Sequence, residues 1–271
     1  MRRSALPAFL ALLALAACND ADAPPTGDLQ TAQAVAERAS ERFEQNVGHA
    51  DGFTVASDGV EARYTVTDDT TGLETFQVDL VPPDAPSAQL LAVLVPNVRL
   101  LARGLRDADL GGIVSRDGRR AYVLTTNNPA SVLGATGAVA PPEPGQEFRA
   151  YVDAETFDVI ELFQSFTVDT LSVPLTQRFI YSDFQTTDEL TLPHRLRVVR
   201  EGLNALIPAE TRIVQEGELG MQRQSLSQRP ASPARDARLA EIDAELRRIH
   251  DGVEEVSVVL DAVRVGQPAT E

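Results

Sequence analysis

The stretch RFIYSDFQTTDELTLPHRLRVVREG, residues 178–202, decides the fold that this sequence predicts. Strand-like segments rich in apolar residues run over 176–184 and 190–200, and a short polar turn joins them, which indicates neighbouring strands. Similar strand-like segments flank this pair at 148–153, 158–168 and 209–216. Because the connections are short, we expect an antiparallel meander.

Helices and hairpins are predicted around the meander. Apolar residues at helical spacing predict helices over 28–46, 90–105 and 233–251. Strict alternation predicts hairpins over 60–80 and 111–126 and a last strand over 256–265. Asp28 and Ser232 are the expected N-caps of the first and last helix, and Pro96 interrupts the middle one. The first half of the 90–105 segment would equally fit a strand, because a short apolar run does not reveal its period.

The N-terminal segment predicts the location of the protein in the cell. Arg2 and Arg3 precede a short apolar run that ends in Leu15-Ala16-Ala17-Cys18, the layout of a bacterial signal peptide with a lipobox. We therefore expect residues 1–17 to be removed and Cys18 to be acylated, which would hold the protein on a membrane without a transmembrane helix.

A soluble body is expected beyond the anchor. Residues 18–28 are polar and Pro-rich and predict a flexible tether, followed by a single domain over 29–267 with 233–251 as a helical insertion. Asn19, where aspartate would favour inner-membrane retention, favours the outer membrane. The predicted location is the bacterial cell envelope, lipid-anchored and facing the periplasm.

The residue types that are absent exclude several classes of chemistry. All 24 basic residues are arginine and there is no tryptophan, so Schiff-base and phosphate-loop lysines are excluded. Cys18 is the only cysteine, and the three histidines, His49, His194 and His250, lie far apart, so no thiol chemistry and no metal site is predicted. We expect no cofactor and no catalytic residue.

The charge of the chain excludes one class of partner. Removal of residues 1–17 takes away Arg2 and Arg3 but no acidic residue, so the net charge would change from −16 to −18. So acidic a body is repelled by phosphate backbones, and nucleic acid is therefore not an expected partner.

Short motifs in the meander carry a resemblance to a known family. Val152-Asp153, Tyr181-Ser182-Asp183-Phe184 and Leu192-Pro193-His194-Arg195, together with the hairpin at 111–124, resemble the pattern of the LolA/LolB-like superfamily of lipoprotein-sorting factors. The resemblance covers about two thirds of the mature chain; the segments 90–105 and 233–251 are longer than in that pattern. It implies an α+β fold in which a curved antiparallel sheet forms an incomplete β-barrel, with helices packed on the concave side. It also implies a non-enzymatic protein with an apolar cavity for acyl chains.

The mid-sheet strands are apolar on both faces, as Phe179 and Ile180 illustrate. A sheet covered on both sides and a sheet lining a ligand cavity would both show this pattern. The expected cavity residues are Leu91, Leu94, Phe163, Phe166, Phe179, Phe184 and His194. His194 shares a face with Leu192 and Leu196, so we expect a hydrogen-bonded wall residue and not a catalyst.

Three functions are compatible with these patterns. The first is a membrane-anchored lipoprotein that binds the acyl chains of a lipid or lipoprotein as carrier, acceptor or sensor. The second is a lipoprotein scaffold that contacts a periplasmic protein partner through its surface. The third is a hydrolase that uses a pair of carboxylates. The candidate pairs are Asp68/Asp69, Asp107/Asp109, Asp188/Glu189 and Glu254/Glu255.

Overall fold

The computed structural model describes residues 29–48, 50–68, 74–127, 146–167 and 174–266. This part of the chain forms two antiparallel sheets of four and seven strands, with helices packed between them around one main apolar core. Neither sheet closes on itself within the described residues. The predicted α+β fold, built on antiparallel sheet without a closed barrel, is confirmed.

The smaller sheet has the strand order β11-β1-β2-β3. Its strands are β1 (Gly52–Ser57), β2 (Val60–Asp68), β3 (Glu74–Val81) and β11 (Ala262–Val265). The predicted hairpin over 60–80 is confirmed as β2 paired with β3, and its turn beyond Asp68 lies outside the described residues. Asp58 and Gly59 join β1 to β2 with positive φ angles of 50° and 78°, as a type I′ turn requires.

Strand β1 escaped prediction because both of its faces are buried. Phe53, Thr54 and Val55 are 1%, 6% and 0% exposed, so no alternation marks the strand. Gly52 opens it where the backbones approach closely, since a Cβ there would lie 2.9 Å from the carbonyl oxygen of Tyr64. A larger residue at this position would push β1 away from β2, so the pairing of the two strands requires glycine here.

The larger sheet is the predicted meander, with strand order β10-β9-β8-β7-β6-β5-β4. Its strands are β4 (Asp109–Arg116), β5 (Arg119–Thr126), β6 (Glu147–Asp153), β7 (Val159–Phe166), β8 (Leu175–Thr187), β9 (Leu190–Glu201) and β10 (Glu254–Val259). The predicted Asp117-Gly118 turn is confirmed, with φ angles of 49° and 81°.

The last strand was predicted as one segment, 256–265, but the chain divides it between the two sheets. β10 pairs with β9 and β11 pairs with β1. Between them, the Leu260 amide donates to the His194 carbonyl oxygen at 2.9 Å and the Asp261 amide to that of Ala56 at 2.8 Å. These two residues therefore carry the chain directly from one sheet to the other.

Three helices pack inside the fold. Helix α1 (Ala32–Phe43) is capped by Thr31, whose hydroxyl accepts from the Ala34 amide at 3.1 Å, and it continues into a π-helical turn at Glu44–Gly48. The helix begins later than predicted, and Asp28 lies outside the described residues. Pro96 separates α2 (Ala88–Ala92) from α3 (Val98–Gly104), as its missing amide predicts.

A helical hairpin projects from the end of the meander. After a 3-10 turn at Leu203–Leu206, α4 spans Ala209–Ser227 and α5 spans Pro233–His250. The predicted strand over 209–216 is wrong, because Ile213 and Val214 lie among strong helix formers that carry the helix on to Ser227. The predicted helix over 233–251 is confirmed, with the Ser232 hydroxyl accepting from the Arg235 amide at 3.2 Å.

Candidate functional site

One face of the large sheet carries an unbroken apolar row. The strand register aligns one residue from each strand, and all face the main core: Leu110, Leu124, Ala150, Leu162, Phe179, Val198 and Val256. The small sheet contributes Phe76, Val78 and Leu80 from β3, which pack against the same core but remain half-buried. Apolar surface from both sheets is therefore directed at the space between them.

That space is a cavity of about 570 Å³, which we call the intersheet cavity. Its apolar wall is built by β3, by α2 and by the β8–β10 end of the large sheet: Phe76, Val78, Leu80, Leu90, Val93, Phe179, Val198 and Val256. Its volume is within the range of small-molecule sites, which are concave and mostly apolar with a few polar groups. The arrangement suits an elongated apolar ligand.

Two buried tyrosines, one from each sheet, hold α2 over the cavity. The Tyr64 hydroxyl donates to the carbonyl oxygen of Leu91, and the Tyr181 hydroxyl donates to that of Val93 at 3.3 Å. Burial raises the pKa of both tyrosines far above the ordinary value, so both hydroxyls stay protonated and remain donors. The C-terminal end of α2 is thereby attached to both sheets.

Polar side chains also line the cavity. Gln89, Asn97, Gln177 and Arg200 line it together with Thr75. The Asn97 amide donates to the Thr75 hydroxyl at 2.8 Å, and Arg200 donates to Glu254 at 2.6 Å. No carboxylate is among the described residues that line the cavity.

The structure brings together some of the predicted cavity residues. Phe179 lines the intersheet cavity directly, and Leu91 and Leu94 lie behind it, fully buried at 0% exposure in and just after α2. Phe184 lies elsewhere, at a small pocket of about 40 Å³ between the π-helical turn and β9. That volume is too small for an acyl chain.

Phe163 was expected in the cavity but faces away from it. Its cross-strand neighbours are Arg149 and Arg178, and the Arg149 guanidinium lies 5.2 Å from its ring centre. The reason is the strand period: Phe163 follows Leu162, which occupies the inner row, so its side chain points to the opposite face. The Phe166 side chain and Cys18, with the tether over 18–28, lie outside the described residues.

His194 also lies away from the intersheet cavity. It is half-buried on β9, its carbonyl oxygen accepts from the Leu260 amide, and its buried Nε2 has no partner in the described part of the chain. It therefore stands beside the crossing between the sheets, and the hydrogen bond that was expected for its ring is not seen there.

Buried charges that the sequence did not single out lie on the outer face of the large sheet. Glu161, 1% exposed, accepts two hydrogen bonds from Arg178 at 2.8 and 3.0 Å. The guanidinium of Arg116 stacks on the Tyr151 ring at 4.2 Å. In the sequence, the only sign of the Glu161–Arg178 pair was an acid and a base in neighbouring apolar strands. These groups stabilise the sheet and do not approach the cavity.

Two of the predicted acid pairs are accounted for by ion pairs or by a turn, and Asp69 of a third lies outside the described residues. Glu254 and Glu255 point to opposite faces of β10, where they pair with Arg200 at 2.6 Å and with Arg197 at 3.6 Å. Asp188 and Glu189 form the β8–β9 turn. Across the described ranges, no three His, Cys, Asp or Glu side chains converge as metal ligands would. None of the helices in those ranges has the length and apolarity needed to cross a membrane.

No protein-family model matches this sequence, and a comparison with curated proteins also finds no match. Among solved structures, the chain is similar to a LolA superfamily protein from Nitrosomonas europaea. The two share 16% sequence identity at a TM-score of 0.34, over 89% of this chain and 96% of that one.

Proposed function

We propose that this protein is a non-enzymatic binding protein that holds the acyl chain of a lipid or lipoprotein in the intersheet cavity, as carrier, acceptor or sensor. One observation carries the proposal: a cavity of about 570 Å³ whose wall is apolar on both sheets and on α2. Each methylene removed from water there would contribute about 0.8 kcal/mol, which suffices for binding without any catalytic group.

Acyl-chain uptake by the purified protein tests the proposal. Val78→Asp places a carboxylate on the cavity wall, and Gln77→Asp places the same charge on the exposed side of the same strand. We expect a fluorescent fatty acid to bind the wild type and Gln77→Asp alike, and to bind Val78→Asp at least tenfold more weakly, because a buried unpaired charge disfavours the chain. Equal uptake by both variants would contradict the proposal.

We further propose that Cys18 is lipidated and anchors the body to the outer membrane, facing the periplasm. The lipobox and the two arginines before it support this proposal. Growth with labelled palmitate should label the protein, and Cys18→Ser should abolish the label and release the protein from the membrane fraction. A labelled Cys18→Ser variant would contradict the assignment. Separation of inner and outer membranes then locates the anchor.

Exposed apolar residues on α4 favour a second candidate, a scaffold that contacts a periplasmic protein partner. Ile213, Val214 and Met221 are 68%, 59% and 67% exposed, and such clusters mark interaction surfaces more often than isolated residues do. A photo-crosslinking residue at Ile213 should give one discrete adduct in cells, and the same residue at the exposed Glu210 should not. Acyl-chain uptake should be unaffected by serine at the α4 positions.

A further inference from the structure

A polar row runs beside the apolar row on the inner face of the large sheet. The register places Gln164 of β7, Gln177 of β8, Arg200 of β9 and Glu254 of β10 side by side. Each lies two residues along its strand from a member of the apolar row, so the rows are about 7 Å apart. Gln177 and Arg200 line the intersheet cavity next to Phe179 and Val198, so the large-sheet wall of the cavity ends in polar groups.

Arg200 provides a cation at that end. Its side chain is 40% exposed, and its Nη1 donates to Glu254 at 2.6 Å. A guanidinium has five N–H donors in a planar fork, so one bond to Glu254 fixes its orientation and leaves it able to bind a second anion. Arg200 thus stands where the polar end of a ligand would emerge from the apolar wall.

Gln164 extends the polar row beyond the residues that line the cavity. It is only 3% exposed, and its Nε2 has no hydrogen-bond partner in the described ranges. It stands next to Gln177, one strand further into the sheet. A buried donor without a partner is rare, because it loses its bonds to water and gains none in return. A carboxylate or phosphate oxygen at this end of the cavity would accept from Gln177 and Arg200, which line it.

We infer that the ligand of the intersheet cavity is an anionic acyl lipid, whose carboxylate or phosphate lies next to the chain and binds Arg200 and Gln177. This inference rests on the proposed acyl-chain function and adds to it the identity of the head group. The chain lies along the apolar row, and the polar row fixes which end is held. Glu254 orients Arg200 and, as a competing anion, limits the affinity.

The test is a competition assay in which dodecanoate, dodecyl phosphate and dodecanol displace a fluorescent acyl probe from the delipidated protein. The three share one chain and differ in the head group. We expect the wild type to bind the better of the two anions about tenfold more tightly than the alcohol, because charge-assisted hydrogen bonds add to the same chain burial. A preference for dodecyl phosphate would indicate a phospholipid-like head, and one for dodecanoate a free fatty acid.

Arg200→Met should abolish this preference, bringing the ratio of the two affinities close to one. Arg197→Met is the matched control, because Arg197 lies on the same strand, is also 40% exposed and pairs with Glu255 on the opposite face. It should keep the tenfold ratio. Glu254→Gln removes the competing anion and should raise the ratio about threefold. If Arg200→Met binds none of the ligands, the Glu254→Gln variant still tests the inference. An anion-to-alcohol affinity ratio that is unchanged in Glu254→Gln would overturn it.

The two proposals fail in different ways. A wild-type protein that binds all three ligands equally overturns the head-group inference and leaves the acyl-chain function standing. A protein that binds none of them, and does not take up the fluorescent probe, overturns the acyl-chain function and the head-group inference with it.

Discussion

The hydroxyl of Tyr181, on the large sheet, donates a hydrogen bond to the carbonyl oxygen of Val93 at 3.3 Å and so fastens the end of α2 to that sheet. Tyr181→Phe removes the donor, keeps the ring and leaves the carbonyl without this partner. We expect the free energy of unfolding to fall by about 1 kcal/mol, as measured by urea denaturation. No change in stability would show that this hydrogen bond does not help to hold α2.

The same tyrosines predict a dependence on alkaline pH. Burial raises the pKa of Tyr64 and Tyr181 in the folded protein, whereas in the unfolded chain both would ionise near pH 10. Their contribution to stability is therefore complete below about pH 10 and is lost as the pH rises further, at up to about 1.4 kcal/mol per pH unit for each residue. Spectrophotometric titration should show Tyr64 and Tyr181 ionising only as the protein unfolds.

Phe179 and Phe163 point to opposite faces of the large sheet, so their substitution should have different effects on ligand binding. Phe179 lines the intersheet cavity, whereas Phe163 lies on the outer face against Arg149. Phe179→Ser should weaken acyl-chain uptake at least tenfold, and Phe163→Ser should leave it within twofold of the wild type, in samples shown to be folded by circular dichroism. Loss of uptake in Phe163→Ser alone would mean that the ligand binds to the other face.

The buried ion pair on the outer face should be a major stabilising contact. Glu161 is 1% exposed and accepts both hydrogen bonds from Arg178. Glu161→Ala leaves that guanidinium partly buried without its anion, and we expect a loss of about 3 kcal/mol in the free energy of unfolding. Glu155→Ala, at an exposed turn position, is the control and should change stability by less than about 0.5 kcal/mol. A loss below about 1 kcal/mol for Glu161→Ala would indicate that water replaces the pair.

The helical hairpin should have one stabilising helix and one that contributes little. Ile242 and Ile249 of α5 are each 1% exposed, whereas Ile213 of α4 is 68% exposed. Ile242→Ala should therefore cost about 2–4 kcal/mol and Ile213→Ala less than about 0.5 kcal/mol. Thermal unfolding of the two variants would measure the difference, and similar losses would show that α4 is packed in solution.

Sequence patterns predicted elements whose two faces differ in polarity. The hairpin around Asp117-Gly118 and the helix beginning after Ser232 carry a regular period and a turn or cap residue, and both are confirmed. The meander, whose central strands are apolar on both faces, was predicted from its short connections and is confirmed except for the segment 209–216. Strand β1 lacked such a period because Thr54 on its second face is also buried. Helix α4 was wrongly predicted to begin with a strand, because Ile213 and Val214 favour a strand locally, although the helix is stabilised by its whole length.

The candidate site was harder to predict than the fold. Phe179 could be assigned to the cavity because it belongs to the apolar face of a strand, but Phe163 could not be told from it without the register. The wall contributed by Phe76, Val78 and Leu80 depends on how the small sheet faces the large one, which no local pattern records. The place of Arg200 in a polar row could be recognised only from the register, which sets it beside Gln177 on β8 and Glu254 on β10.

The chain crosses from the large sheet to the small one at Leu260 and Asp261, and the cavity wall is therefore completed by the last two strands. The last strand, β11, pairs with the first, β1, and β10 supplies Val256 to the cavity wall. A nascent chain that ends before these strands would expose the edges of both β1 and β9, and its cavity would lack one wall. Such a long-range closure is a late event in folding. On the proposed function, a ligand would therefore meet the complete cavity wall only after β10 and β11 have paired with β9 and β1.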